Sequence, residues 1–462
     1  MKNITVKDVL SICDGKLICG NANDICSSYS KDTRSIQKND VYLGIKGEKF
    51  NGSDFYLDAL QKGAKGCILQ DIEVNLESVK NFPGTFIIIV KNVVEAIQKL
   101  AKYKRTLYDI PVIGITGSVG KTSTKDLVST VLSTKFDVLK TDGNYNNEIG
   151  LPLTILKLKE QDMAVLEMGM SMPKEMSLLT DIARPTTVVI TTIGSSHIGN
   201  LGSRENILKA KLEILEGLKE NGAVIVNNDN DLLNEWVMHS QGKYRCVTYG
   251  INQNSDIMAK NIEILENKTS FELVYGGKIY SVEIPVGGTH FVYNSLAAVA
   301  VGIEYNIAIE DIIKSLREIS ITKRRMELLK LENGVTLVND SYNASYESVK
   351  AALEYINAAS TGRRIAVLGD VLELGDFSKE MHEAIGHEVV KNKIDVLITV
   401  GKEAKNINEV VKNSSSGISV YSFENNEAAI KKLKETMKKG DFILIKASNG
   451  MHFDQIVDGL KC

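Results

Sequence analysis

The segment Gly117-Ser118-Val119-Gly120-Lys121-Thr122-Ser123 combines residue types and a spacing suited to phosphate chemistry. A Gly-rich turn between a strand and a helix lets backbone N–H groups converge on a phosphate at the helix N-terminus. There Lys121 supplies a point charge to terminal phosphates, and Thr122 a hydroxyl for Mg²⁺. The eight-residue phosphate-loop pattern wants glycine five positions before Gly120, where Ile115 stands, so this is the shorter Gly117-x-x-Gly120-Lys121-Thr122 form. Two further apolar runs end on reactive side chains. Residues 163–166 lead into Glu167, and residues 187–191 lead towards Ser195, Ser196 and His197. Ligands of open α/β sheets bind beyond the carboxyl ends of strands, so Glu167 and His197 stand where metal ligands or catalytic groups belong. Lys211 is out of place: Ile207, Ile214 and Leu218 form an apolar stripe at i, i+7 and i+11, and Lys211 takes the i+4 position within it. A lysine there ordinarily snorkels its ammonium to water. The alternative is an amine depressed enough in pKa to be modified, or one that contacts phosphate.

Three blocks of secondary structure are expected to position these groups. Residues 1–106 read as a small mixed α/β domain, with strands at 41–45, 66–69 and 86–90 and helices at 57–63 and 93–107. Polar loops flank its first strand, at 31–35 and 47–55. Residues 107–321 hold the phosphate loop, an Asn-rich run at 141–153 whose composition suits a turn, a strand at 223–226, a hairpin turning at Gly276-Gly277 and an Ala-rich helix from Ser295. Residues 322–462 restart a strand-then-polar-loop rhythm at 335–338, 364–368, 396–400 and 442–445, which predicts a doubly wound sheet. The lysines of 431–439 read as a solvated helix face.

The bulk composition narrows the function. A chain of 462 residues exceeds one hydrophobic core, and 43% apolar with 24% charged residues is ordinary for globular domains. A net charge of −3 argues against a general nucleic-acid binder. No run reaches the length of a membrane span and the first residues lack the apolar stretch of a secretory signal, so a cytoplasmic protein is expected. The six cysteines (Cys13, Cys19, Cys26, Cys67, Cys246 and Cys462) include no Cys-x-x-Cys and read as free thiols. His382 and His387 miss the i,i+4 spacing of a helical zinc pair and read as structural or surface residues.

Taken together, these loops resemble one family over essentially the whole chain: the Mur ligases, which assemble the peptidoglycan stem peptide. Gly114-Ile-Thr-Gly-Ser-Val-Gly-Lys-Thr122 is similar to the family's ATP loop. The blocks Gly143-Asn-Tyr-Asn-Asn-Glu-Ile-Gly-Leu-Pro-Leu-Thr154, Asn339-Asp-Ser-Tyr-Asn-Ala344 and Leu368-Gly-Asp-Val-Leu-Glu-Leu-Gly375 resemble the type that adds D-alanyl-D-alanine. The resemblance implies ATP contacts from Gly117, Ser118, Val119, Gly120, Lys121, Thr122, Ser123 and Asn144. It implies adenine contact from Asn294, with Arg325 and Asp340 reaching the nucleotide across the domain gap. Mg²⁺ would be held by Thr122, Glu167, His197 and Lys211, the last as a carbamate. Lys121, Lys211, His197 and Glu167 would form the catalytic group. Thr33, Arg34, Asn51 and Asp54 match the uridine-nucleotide loops, and Asn343, Asp370 and Glu373 fall on the dipeptide side. The chain departs from the family pattern at Arg324, where glycine is usual before the arginine, at Asn449, in the place of an arginine, and at Tyr346, where proline is common.

The activity so implied is formation of an amide between UDP-MurNAc-tripeptide and D-alanyl-D-alanine, driven by ATP through an acyl phosphate, by a monomer that closes around its nucleotide. Another ligase of the same superfamily, adding one amino acid or extending folate with glutamate, predicts the same ATP site with different third-domain loops. A regulatory phosphate-loop NTPase predicts hydrolysis without an acceptor.

Overall fold

The computed structural model describes residues 3–240, 242–320, 322–414 and 416–461. Ile321, the expected last residue of the central block, and Cys462 lie outside the described residues. The chain builds a five-stranded, a nine-stranded and a six-stranded sheet, with a two-stranded ribbon joining Ile4–Thr5 to Ile25–Cys26.

The nine-stranded sheet carries the phosphate loop. Its parallel core is Val138–Lys140, Met163–Glu167, Val112–Thr116, Thr187–Ile190, Ala223–Asn227 and Arg245–Gly250, in that spatial order. Val112–Thr116, Met163–Glu167, Thr187–Ile190 and Ala223–Asn227 are buried at every position, the pattern of parallel strands covered on both faces. Ile257–Ile264 continues the sheet in parallel, and Thr269–Tyr275 and Lys278–Ile284 close it as antiparallel strands. The turn between these last two is Gly276-Gly277, as expected, with both residues at positive φ. Helix Lys121–Leu132 packs beside helix Thr289–Glu304, both nearly free of solvent.

The five-stranded sheet runs Lys16–Cys19, Phe86–Ile89, Gly66–Leu69, Val41–Leu43, Tyr29–Ser30. The six-stranded sheet runs Glu327–Lys330, Thr336–Asn339, Phe442–Lys446, Arg364–Gly369, Val396–Val400, Ser419–Phe423, parallel except for its first strand. Side chains alternate across a strand, and here the alternation separates two cores. Ile365 and Val367 enter an apolar cluster confined to the C-terminal sheet, whereas Ala366 and Leu368 join the large core that spans the molecule. Cys67 and Leu69 likewise line a cluster of the N-terminal sheet while Ile68 faces the common core.

Several elements differ from the sequence reading. The Asn-rich run is a turn only as far as Ile149; Gly150–Leu156 is a fully buried helix that accommodates Pro152 in its first turn, where the missing N–H has no intrahelical partner to lose. The apolar stripe around Lys211 is not one helix. Arg204–Leu212 is α-helical, Glu213–Gly217 tightens to a 3₁₀ turn, and Leu218 is extended. Cys13, Cys19, Cys26, Cys67 and Cys246 are free thiols. His382 is a buried structural residue whose Nε2 accepts the Val371 amide at 3.0 Å, and His387 is exposed. Among the described residues no helix is long and apolar enough to cross a membrane.

Candidate active site at the junction of the central and C-terminal sheets

Strand Val112–Thr116 delivers the chain into the phosphate loop, and two glycines make the turn. Gly117 and Gly120 have φ of +146° and +88°, a region that costs little only without a Cβ. A Cβ on Gly117 would also lie 1.9 Å from Thr191 Oγ1, and one on Gly120 2.7 Å from Asn294 Oδ1. The loop is braced from the neighbouring strand. Ser118 N donates to Thr192 O at 2.8 Å and Thr191 Oγ1 donates to Val119 O at 2.5 Å. Asn294 lies behind the loop, with its Oδ1 accepting from Thr124 Oγ1 at 3.2 Å.

Several charged groups meet at this loop. Lys121 folds back so that Nζ donates to Gly117 O at 2.7 Å. Part of its side chain reaches solvent, yet its ammonium end is enclosed; burial lowers its pKa, Glu167 pulls it back up, and Arg325 lowers it further. Glu167, 2% exposed, closes strand Met163–Glu167. Its Oε1 accepts from Asn146 Nδ2 at 2.7 Å, and its Oε2 is buried with no partner. Lys211 is 1% exposed, so it does not snorkel. Burial drives its pKa well below the ordinary lysine value, and the Lys121 charge adds to the shift.

The C-terminal domain supplies the other wall. Arg325 Nη2 donates to Thr122 Oγ1 at 2.9 Å, and its guanidinium carbon sits 4.1 Å from the centre of the Tyr342 ring, a cation–π contact. Arg324 turns away. In the left-handed conformation at φ +64°, it donates from Nη2 to Ser341 O at 2.9 Å, so of the two adjacent arginines Arg325 is the one that reaches the loop. His197, also left-handed at φ +64°, has Nδ1 2.7 Å from Glu373 Oε2, a contact whose angle falls outside a hydrogen bond. That contact lowers the Glu373 pKa.

Other expected site residues are engaged elsewhere. Asp340 pairs with the buried Lys446 ammonium and accepts the Met326 amide at 3.2 Å. Lys446 Nζ also donates to Asn343 O at 2.9 Å. Asp370 accepts the Lys402 and Ala404 amides at 3.2 and 2.8 Å and so organises the turn after strand Val396–Val400. On the N-terminal sheet, Arg34 forms an exposed pair with Asp32 at 2.7 Å, which holds the Asp32 carboxyl down at about 2, and Thr33 lies beside Asp58. Asn51 caps the turn Gly52–Phe55, and Asp54 on that turn is exposed. Asn144 is exposed next to Tyr145, whose ring faces Lys31 at 5.3 Å, so this loop meets the edge of the N-terminal sheet. Asn146, Tyr342, Ser195 and Glu347 were absent from the sequence-derived set. Asn146 lies inside the Asn-rich run, Tyr342 inside the 339–344 block and Ser195 beside His197 at a strand end, whereas Glu347 has no local signal.

Among the described residues no three His, Cys, Asp or Glu side chains cluster as a ready metal site. Mg²⁺ does not require one, since it keeps several waters and uses one or two carboxylates together with substrate phosphates. The unpartnered Glu167 Oε2 at the end of its strand and the Thr122 hydroxyl at the start of the loop's helix are oxygen donors of that kind. His197 adds a ring nitrogen at this junction, its Nδ1 lying 2.7 Å from Glu373 Oε2.

A strand, a doubly glycine-hinged loop and a helix, met by an arginine from a second sheet, define a mononucleotide site at a domain junction. Residues 115–302 match the Mur ligase middle domain and residues 324–449 the Mur ligase, glutamate ligase domain. The chain belongs to the Mur ligase family. It is 38% identical to the UDP-N-acetylmuramoyl-tripeptide–D-alanyl-D-alanine ligase of Bacillus subtilis over 99% of this chain and 98% of that one. It is 30% identical to the Escherichia coli enzyme of the same name over 100% and 99%. The crystal structure of MurF from Acinetobacter baumannii matches over 100% of this chain and 99% of that one, at 26% identity and a TM-score of 0.88. MurF ligase from Thermotoga maritima in complex with ADP matches over 94% and 97%, at 28% identity and a TM-score of 0.81.

Proposed function

We propose that this chain joins D-alanyl-D-alanine to UDP-MurNAc-tripeptide with ATP, in the cytoplasm and as a monomer. The observation that carries the reading is that relatives bearing this one activity in their names align over the whole chain, and not over the nucleotide-binding part alone. Residues 1–106 would take the uridine nucleotide through Thr33, Arg34, Asn51 and Asp54. Residues 107–321 would hold ATP, and residues 322–462 would present the dipeptide near Asn343, Asp370 and Glu373.

The tripeptide's terminal carboxylate attacks the γ-phosphorus of ATP, giving an acyl phosphate and ADP. The dipeptide amine attacks the acyl carbon, and the tetrahedral adduct collapses to amide and phosphate. Such chemistry asks the protein for positioning and charge stabilisation. The loop amides and Lys121 would hold the phosphates, and Lys121 would exchange its bond to Gly117 O for one to a phosphate oxygen. Arg325 would leave the Thr122 hydroxyl and stabilise charge on the transferring group, with Tyr342 keeping its plane oriented. Asn146 fixes one oxygen of Glu167 so that the other faces the site. Thr122, Glu167, His197 and Lys211 as a carbamate would hold Mg²⁺, which when bound offsets phosphate charge. Addition of CO₂ to the neutral Lys211 amine, with release of one proton to solvent, would make it an anion and remove the conflict between Lys211 and Lys121.

Release of ADP with UDP-MurNAc-tripeptide tests the proposal. Turnover should require D-alanyl-D-alanine and should not proceed with single amino acids. Equal turnover without an acceptor would overturn it.

A further inference from the structure

Glu347 takes no part in the chemistry above, yet it reaches from the C-terminal domain into the central one. It lies in the first turn of helix Tyr346–Ala359, whose N-terminus is fixed by a capping box between Ser345 and Ser348. Its carboxylate accepts from both donors of Ser195, from N at 2.7 Å and from Oγ at 3.1 Å. A carboxylate taking a charge-assisted pair of this kind is held more firmly than a neutral partner would be.

The residues on either side of Ser195 hold the phosphate loop. Gly194 N donates to Ser118 Oγ at 2.9 Å, and Ser196 Oγ donates to Ser118 O at 3.2 Å. Within three consecutive residues, therefore, the outer two grip Ser118 and the middle one grips Glu347. The packing leaves no slack, since a Cβ on Gly194 would lie 2.5 Å from Glu347 Cδ. Arg204 steadies the same segment from below, donating to Ile193 O at 3.0 Å.

We propose that Glu347 is a positioning residue: by clamping Ser195 it couples arrival of the C-terminal domain to the shape of the phosphate loop at Ser118. This rests on the ligase reading above. The clamp is made only when the two domains are together, as is the contact of Arg325 with Thr122. Losing it should slow turnover while nucleotide binding to the central domain persists.

Four proteins test this: wild type, E347A, G194A and the double variant, with E347Q as the conservative control. E347A should lower kcat about tenfold or more and leave the Kd for ADP within about threefold. E347Q, which keeps an acceptor for Ser195 N, should recover most of the loss. G194A should be impaired through its clash with Glu347, so the double variant should fall no lower than E347A alone. Exchange of the Ser195 amide should quicken at least tenfold in E347A. Additive losses in the double variant, unchanged Ser195 exchange, or a kcat for E347A within twofold of wild type would each overturn the clamp. A parallel fall of kcat, ADP affinity and melting temperature in E347A would do the same. Absence of acceptor-dependent turnover in wild type would instead overturn the ligase reading, and the exchange measurement would still decide the clamp.

Discussion

Two buried lysines, one at each nucleotide-facing wall, live under opposite rules. Lys446 closes the central strand Phe442–Lys446 of the C-terminal sheet and is paired with Asp340 and Asn343 O. The ammonium of Lys211, equally buried, has no hydrogen bond or ion pair among the described residues and faces the charge of Lys121. Burial lowers both pKa values, but only at Lys446 does a carboxylate pull back. An uncompensated buried charge costs stability and persists where it serves something other than folding. The pairing of charge thus separates scaffold from reaction site: the C-terminal wall is built to stay, whereas the central wall is left electrically incomplete for a ligand to finish.

The comparison breaks first if the central wall proves dispensable. Lys121→Ala should reduce kcat by roughly two orders of magnitude or more in the acceptor-dependent ADP assay, with the fold kept by circular dichroism. Lys211→Ala should lose activity on a similar scale and be partly restored by short carboxylates; bicarbonate-independent wild type together with no rescue would return Lys211 to a packing role. At the other wall the effect should fall on stability. Lys446→Met strands a buried Asp340 and should cost about 3–5 kcal/mol in denaturant titration, most of it recovered by adding Asp340→Asn. Lys211→Met, by contrast, should leave the melting temperature unchanged or raised.

A pH titration sharpens the same contrast. Burial pushes the His290 imidazole, with its partnerless Nδ1, down from 6.5 to about 4. The folded chain then binds fewer protons than the unfolded one between those values. Stability should fall by about 3 kcal/mol as pH drops from 6.5 towards 4, a slope that His290→Gln should flatten. For Lys211 the depressed folded value sets a window that ends at the ordinary lysine value. Its penalty should fade as pH rises towards the ordinary lysine value of 10.5, so melting temperature should climb with pH in wild type and not in Lys211→Met. The smallest effect belongs to Arg34→Ala. Its pair with Asp32 is exposed, so stability should not move, while KM for the uridine substrate should rise several-fold.

The parts of this molecule legible in sequence are those whose signal is local. The buried parallel strands are continuous apolar runs, and the phosphate loop is set by neighbours within a few positions. Lys16–Cys19, Tyr29–Ser30, Glu327–Lys330 and Ser419–Phe423 escape a sequence reading because they lie at sheet edges and are half exposed, which dilutes their apolar content. Arg245–Gly250 escapes it too, although it lies inside the nine-stranded sheet, because its first four residues are not fully buried. Gly150–Leu156 was hidden because Pro152 and the preceding asparagines carry turn chemistry that tertiary burial overrides. Within the site, residue types at strand ends pointed to Glu167 and His197, but partners did not follow. Glu347 meets Ser195 across 152 positions and Arg325 meets Thr122 across 203, and no local pattern encodes such meetings. Lys211 shows the reverse: its anomaly is visible in the stripe, and the fold adds that it is 1% exposed and does not snorkel.

The bond from Arg325 to Thr122 has a kinetic meaning. A ligand reaching that hydroxyl meets the guanidinium on one of its two lone pairs, so where the two compete its measured affinity is reduced by the grip of the guanidinium. A variant that loosens Arg325 should then bind nucleotide faster and more tightly while using it less well, and tight binding alone would be a misleading guide in any search for inhibitors of this site.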